Sequence, residues 1–225
     1  MHYIVIPTIL LNPVKEAALD AAVSRLGDSC AEPFELIVIC SGTETYKAYF
    51  NENARVANVP RQLSYAQAVN QGLRLHEKEI AAGDTVTVHN DDAQMLVYGW
   101  DKIAREQLLT LRTVGVVSHP ENTDPVDVLR FGFRHFSGAV WTSRYRDVVD
   151  LGFLDEGYLL GTFEDTDLWE RMDGIGLTGL TDFNVPVMHE QNLTGRFMPA
   201  FKAQEKRNKA LFVKKWGVDP MEKYH

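Results

Sequence analysis

The residues of this chain that could do chemistry fall into three groups far apart along the polymer. Glu164-Asp165-Thr166-Asp167-Leu168-Trp169 puts three carboxylates at what reads as the start of a helix. Asn90-Asp91-Asp92 puts two more at the end of a strand-like run, and His189 closes another such run. Two separated acidic points and one imidazole suffice to hold a divalent cation and leave one carboxylate as a base. Mg2+ and Mn2+ take oxygen ligands, often only one or two carboxylates with phosphate oxygens beside them. Two adjacent aspartates on an extended backbone point apart, so one is expected to ligate and the other to accept from a ribose. Imidazole as a ligand favours Mn2+ over Mg2+.

Each group also has a plainer use. Asn and Asp make turns and helix caps. Thr162-Phe163-Glu164-Asp165 fits a capping box, and acidic residues suit a first helical turn. A single histidine at a strand end commonly just satisfies a hydrogen bond. On a helix, Asp165 shares a face with Leu168, Trp169 and Met172, so its carboxylate is expected to face inward, with Asp167 and Glu170 outward.

The elements that must position these groups alternate through the first half. Tyr3–Ile9 reads as a strand stopped by Pro13, and Val14–Leu26 as a helix ended by Gly27. Phe34–Cys40 is a strand, Thr43 to Phe50 a short helix, Arg55–Val59 a strand and Ser64–Ile80 a helix. Thr85–His89 is a strand, Trp100–Leu111 a helix and Thr113–Val117 a strand. This order implies parallel βαβ units with helices on both faces of an α/β sheet. Ligands of such sheets sit beyond the strand carboxyl ends, where Thr8, Ser41 and Asn90-Asp91-Asp92 fall. The second half reads as a loop over Ser118–Arg134, a strand over Phe136–Trp141 and a helix over Thr162–Met172. An edge strand over Asn184–Met188 contains Pro186, and a basic helix spans Ala200–Trp216.

The 225 residues are 45% hydrophobic and 24% charged, the balance of one globular domain. We divide it into 1–117, 118–197 and a C-terminal helical segment 198–225. No apolar run approaches the ~20 residues of a membrane span. Met1-His2-Tyr3-Ile4-Val5-Ile6-Pro7 reads as a buried strand and not as a signal peptide. Cys30 and Cys40 lack metal-type spacing and are expected to be reduced cytoplasmic thiols. The formal charge of −8 argues against non-specific nucleic-acid coating. Seven basic residues and one acidic residue nevertheless lie between Arg196 and Lys215. They form either a solvated helix face or a surface for an anionic acceptor or donor phosphates.

In the order and spacing of its motifs, the chain resembles the family-two glycosyltransferases, inverting enzymes of the GT-A fold, over roughly residues 3 to 197. Ile4-Val5-Ile6-Pro7-Thr8 resembles the opening strand whose end contacts the nucleotide. Ser64-Tyr65-Ala66-Gln67-Ala68-Val69-Asn70-Gln71-Gly72 is similar to the helix before the metal-binding strand. His89-Asn90-Asp91-Asp92 with Gly99-Trp100 resembles the acidic metal motif, and Ser137-Gly138-Ala139-Val140-Trp141 the acceptor-side strand. Leu154-Asp155-Glu156-Gly157-Tyr158 and Glu164-Asp165-Thr166-Asp167-Leu168-Trp169-Glu170-Arg171 resemble the segment that supplies the base.

The resemblance implies a single GT-A-type, Rossmann-like domain with a mostly parallel sheet. It implies Asp165 as general base with Glu164 beside it, and Asp92 with His189 on a Mn2+ or Mg2+ ion. Pro7, Thr8, Ser41, Ser64, Asn70, Asn90 and Asp91 would line the nucleotide-sugar. The donor would be a nucleoside-diphosphate sugar, UDP-sugars foremost. The acceptor hydroxyl would belong to a glycan, a lipid-linked sugar, a protein or a modified nucleic acid. The second strand departs from the pattern. It ends in Cys40-Ser41-Gly42-Thr43, where many members carry an aspartate that reads the base. Two other readings stand beside this one. A nucleotidyltransferase would want a glycine-rich phosphate loop near the first strand, where Ile9-Leu10-Leu11-Asn12-Pro13 stands. A non-catalytic sugar-nucleotide or glycan-binding module would not need Glu164-Asp165.

Overall fold

The computed structural model describes residues 1–9, 12–42, 54–75, 77–78, 81, 83–110, 114–119, 138–189 and 198–220. The helix expected from Thr43 to Phe50 and most of the loop expected over Ser118–Arg134 lie outside them. In chain order the elements are β1 (His2–Ile9), α1 (Pro13–Ser29), β2 (Phe34–Ser41), β3 (Ala54–Val59), α2 (Tyr65–Leu75), β4 (Thr85–His89), β5 (Ala93–Met95), α3 (Trp100–Thr110), β6 (Val114–Ser118), β7 (Val140–Arg144), α4 (Tyr145–Asp150), α5 (Glu164–Gly174), β8 (Thr178–Thr181), β9 (Val187–His189) and α6 (Phe201–Trp216).

Seven strands form the main sheet in the order β3-β2-β1-β4-β7-β6-β8. The sheet is mostly parallel, as expected, with one exception: β7 runs antiparallel to both β4 and β6. Interior parallel strands bury both faces and so read as continuous apolar runs. Tyr3 and Val5 of β1 face one core with Ile37, Val69, Leu73, Trp141 and Leu168. Ile4 and Ile6 face the other with Leu19, Leu26, Val38 and Trp100. Helices therefore cover both faces: α2, α4 and α5 lie on one side, α1 and α3 on the other.

Several boundaries differ from the sequence reading for local reasons. Pro13 opens α1 instead of merely ending β1, because a first helical residue needs no N–H partner. Asn12 caps that helix, its side chain accepting from Val14 and Lys15 N–H. α1 then runs through Gly27, a residue that costs only about 1 kcal/mol within a helix. The strand expected over Phe136–Trp141 begins at Val140, with Gly138 and Ala139 as a bend before it. The strand expected over Asn184–Met188 starts just after Pro186 and pairs with β5 in a separate two-stranded sheet. Patterning did not reveal β5, α4 or β8, each six residues or fewer. The ring of Trp169 of α5 packs on Gly179 of β8, in space that a Cβ there would occupy.

The antiparallel β7 has the largest effect on the strand ends. Its first residue, Val140, pairs with the last of β4, His89. The bend before it is thereby delivered to the carboxyl end of β4, where Asn90 N–H donates to Ala139 O at 2.8 Å.

Candidate active site

At the carboxyl end of β4, Asp91 and Asp92 occupy a turn closed by Ala93 N–H donating to Asn90 O at 3.2 Å, and their side chains find different partners. Asp91 turns inward and is almost wholly buried. Lys15 Nζ donates to its Oδ1 at 2.6 Å, and the Thr8 hydroxyl donates to its Oδ2. Lys15 is itself fully buried. Burial holds the Asp91 carboxyl above the usual carboxylate range, against the pull of the Lys15 ammonium. Pro7 explains why Thr8 can reach it. The β1–β4 ladder ends at Val5–Val88, two residues before a proline that has no N–H to give. Ser41, opposite Ile9, is buried and donates its hydroxyl to Thr8 O at 3.2 Å. Thr8, Ser41 and Asp91 thus meet at the carboxyl ends of neighbouring interior strands, but their polar groups bond to protein.

Asp92 points the other way, toward His189. The β5–β9 register places His189 opposite Ala93, and His189 Nε2 lies 2.9 Å from Asp92 Oδ1. Asn90 Nδ2 is 3.3 Å from the same ring nitrogen, and Asn90 Oδ1 is buried without a partner. As its Nε2–H tautomer His189 donates a hydrogen bond to Asp92, and with the other tautomer the same two atoms can share a cation. Neighbouring ligands of a six-coordinate ion with bonds of about 2.1 Å lie about 3 Å apart. The Asp92–His189 spacing fits that as well as it fits the hydrogen bond between them, and one carboxylate, one imidazole and one unpartnered amide oxygen could ligate a divalent cation. Among the described residues no third carboxylate, thiol or imidazole joins them as a ready cluster. The remaining ligands would come from diphosphate or water.

The second acidic pair opens α5. Leu160, Gly161, Thr162 and Phe163 all have positive φ (65°, 128°, 145° and 67°). Non-glycine residues in such conformations cost on the order of 1–3 kcal/mol each and persist where the surroundings over-determine them. The expected capping box does not form. Phe163, not Thr162, is the N-cap and makes no side-chain cap bond. Thr162 N–H instead donates to Glu164 Oε2 at 2.5 Å. Burial, then the charge of Asp165, push the Glu164 carboxyl up to about 8, so it holds a proton at neutral pH. Asp165 is only partly buried. Its Oδ1 accepts from Thr166 N–H and Oγ1 at 2.7 and 3.3 Å.

Gly138 joins the two acidic regions. A methyl on it would lie 2.5 Å from Asp165 Oδ2, and the next residue, Ala139, accepts from Asn90 N–H. Tyr65 spans the same gap. Its hydroxyl donates to Gly138 O at 3.2 Å and accepts from the Trp141 side chain. Burial pushes that hydroxyl well above its ordinary value, and Glu164, Asp165 and Asp91 push the same way. Asp91 and Asp165, which come from different elements, thus both act on the Tyr65 hydroxyl.

Other expected site residues are held elsewhere. Ser64 caps α2: its Oγ accepts Gln67 N–H at 3.2 Å while Gln67 Oε1 accepts Ser64 N–H at 3.1 Å. Asn70 is fully buried and donates to Leu154 O and Glu156 Oε1, while its Oδ1 accepts Leu154 N–H. The expectation that Asp167 and Glu170 face outward is corrected, since both are buried. Asp167 is wholly enclosed because Arg171, Lys215, Tyr158 and Trp216 all donate to it. The sequence reading passed over Lys15, Tyr65 and Gly138. Lys15 did leave a signal, since it shares the helix face of Leu19, Ala22 and Leu26, all buried.

No protein-family model and no curated protein sequence matches this chain. Solved structures do. The mannosyltransferase PcManGT from Pyrobaculum calidifontis, in complex with GDP-Man and Mn2+, superposes with a TM-score of 0.60 at 19% identity, over 84% of this chain and 56% of that one. GalNAc-T7 with UDP, GalNAc and Mn2+ gives 0.62 at 11% identity, over 84% and 43%. S. aureus TarS 1-349 in complex with UDP-GlcNAc gives 0.62 at 12% identity, over 84% and 59%. This chain spans about half the length of these proteins. Identity this low speaks for fold alone. The fold is that of the GT-A glycosyltransferases.

Proposed function

We propose that this chain is a metal-dependent, inverting glycosyltransferase that moves a sugar from a nucleoside-diphosphate donor to an acceptor hydroxyl. The observation that carries this reading is that one bend borders both acidic stretches: Asp165 lies against Gly138, and Asn90, two residues before Asp92, donates to Ala139 O. Asp92 and His189, with Asn90 Oδ1 beside them, would hold Mn2+ or Mg2+, which supplies Lewis-acid neutralisation of charge on the departing diphosphate. Asp165, the more accessible carboxylate of its pair, takes the proton of the attacking hydroxyl. Glu164 keeps its own proton near neutral pH and so leaves the pair with one negative charge. Attack opposite the leaving group inverts the anomeric carbon.

Asp91 serves by fixing the turn through Lys15 and Thr8. UDP-sugars are the first donors to test, and GDP-sugars the second. The exposed Lys202, Lys206 and Lys214 of α6 favour an anionic acceptor. Two free thiols, Cys30 and Cys40, agree with a reducing, cytoplasmic setting. A thermal-shift panel of nucleotide sugars with Mn2+ tests the reading. A donor present at about 100 times its Kd stabilises the fold by about 2.7 kcal/mol and raises Tm. Hydrolysis of that same donor without acceptor then marks an enzyme and not a binding module. A panel in which no nucleotide sugar raises Tm contradicts the proposal.

A further inference from the structure

The backbone that delivers Glu164 and Asp165 does not hold itself. Four successive residues, Leu160 to Phe163, have positive φ, and α5 has no side-chain N-cap. What brackets this segment is one side chain from the far end of the chain. Asn208 of α6 is fully buried. Its Oδ1 accepts Leu159 N–H at 3.1 Å, and its Nδ2 donates to Leu159 O at 2.8 Å. The same Nδ2 reaches Thr162 Oγ1 at 3.1 Å and Thr162 O at 3.4 Å. One carboxamide thus bonds both the residue before the strained stretch and a residue within it. Its neighbours on α6 reinforce the grip. Phe212 packs on Phe163 with ring centroids 6.3 Å apart, and Arg207 donates to Gly157 O at 3.1 Å.

We propose that Asn208 is a positioning residue for the acceptor-side chemistry, holding Leu159–Thr162 in the conformation that places Asp165 against Gly138. The inference rests on the glycosyltransferase reading and names a device within it. Without the carboxamide, Leu159 N–H and C=O lose their partners, and Leu160, Thr162 and Phe163 relax toward ordinary φ. The Thr162–Glu164 bond goes with them. Asp92 and His189 are placed by β5 pairing with β9, a ladder in which α6 has no strand. The expected signature is therefore a loss of turnover without a loss of nucleotide binding, which general destabilisation would not give.

The test compares the full chain with Asn208→Ala and Asn208→Asp. Asp keeps the acceptor for Leu159 N–H and removes every donor. Three quantities are read: UDP affinity with Mn2+ by calorimetry, donor hydrolysis kcat, and amide exchange at Leu159 and Thr162. Misplacing a reacting group by about 1 Å costs roughly 10²-fold, and Asn208→Ala is expected to lose roughly that in kcat, with exchange quickened and UDP affinity kept. Asn208→Asp falls between it and wild type, and it carries the test alone if Asn208→Ala fails to fold. Unchanged kcat or unchanged exchange overturns the proposal, as does a loss of UDP affinity equal to the loss of kcat. A wild-type chain that binds no nucleotide overturns the glycosyltransferase reading itself, and is told apart from these outcomes by that measurement.

Discussion

The two acidic centres of this molecule are held by opposite means. Asp91 and Asp92 follow β4, whose backbone is fixed by ladders to β1 and β7, and His189 arrives through the β5–β9 register. Glu164 and Asp165 follow a loop with four positive-φ residues, held by side chains of α6 and by close contact with Gly138. A ladder fixes position through regular backbone bonds. A strained loop holds only while its surroundings over-determine it. The structure thus joins a stiff side, fixed by strand pairing, with a side whose geometry depends on a few replaceable contacts. Changes on the first side should appear in binding and stability, and changes on the second in turnover.

The largest expected effect is on the second side. Asp165→Asn should lower transfer by about 10²–10⁴-fold, the usual worth of a general base. Steady-state rates measure this, and a loss under tenfold would remove Asp165 from that role. On the first side, Lys15→Met leaves the buried Asp91 carboxylate without its cation. Breaking a buried pair in this way costs about 3–5 kcal/mol, measurable by urea unfolding. Adding Asp91→Asn should return much of that loss, and a single variant as stable as wild type would deny the pair its structural role. Gly138→Ala tests the join between the sides. Its methyl would meet Asp165 Oδ2, so turnover should fall roughly tenfold while UDP affinity holds. Equal loss of both would mean that Gly138 serves the sheet and not the base.

The smallest effect concerns buried histidines behind the stiff side. Burial lowers His2 and His119 from 6.5 to about 4. A histidine with a depressed folded value binds its proton in the unfolded chain first. Stability is therefore full above about pH 6.5 and falls as pH drops toward 4. Each such group contributes a slope of about 1.4 kcal/mol per pH unit inside that window. His119→Phe should remove one such slope from unfolding curves taken between pH 6 and 4.5. Unchanged pH dependence would show that His119 does not titrate there.

How much of this was legible in the sequence differs between the same two sides. The alternating apolar runs of the first half gave the parallel sheet, its helices and the strand end that carries Asp91 and Asp92. Periodicity is strong where both faces of a strand are buried. The antiparallel direction of β7 left no trace in composition, because direction is set by pairing partners and not by local pattern. The α5 start was misread for a related reason. A capping box is a local signal, and here Asn208, about 45 residues on, overrides it by bonding Leu159 and Thr162. The inward turn of Asp167 has the same origin. Its partners Lys215 and Trp216 come from α6, and a carboxylate at an outward-looking helical position gives no hint of them. The basic count of the C-terminal helix also misleads in part, since Lys215 is paired with Asp155 and Asp167, and Lys209 with Asp219.

The most direct test of the proposed division of labour is calorimetric titration of UDP with Mn2+ into wild type, Asp92→Asn and Asp165→Asn. Wild type and Asp165→Asn should bind alike, Asp92→Asn should lose most of the affinity, and excess chelator should abolish binding in all three. Equal weakening of the two variants, or wild-type binding that is indifferent to chelator, would contradict the account.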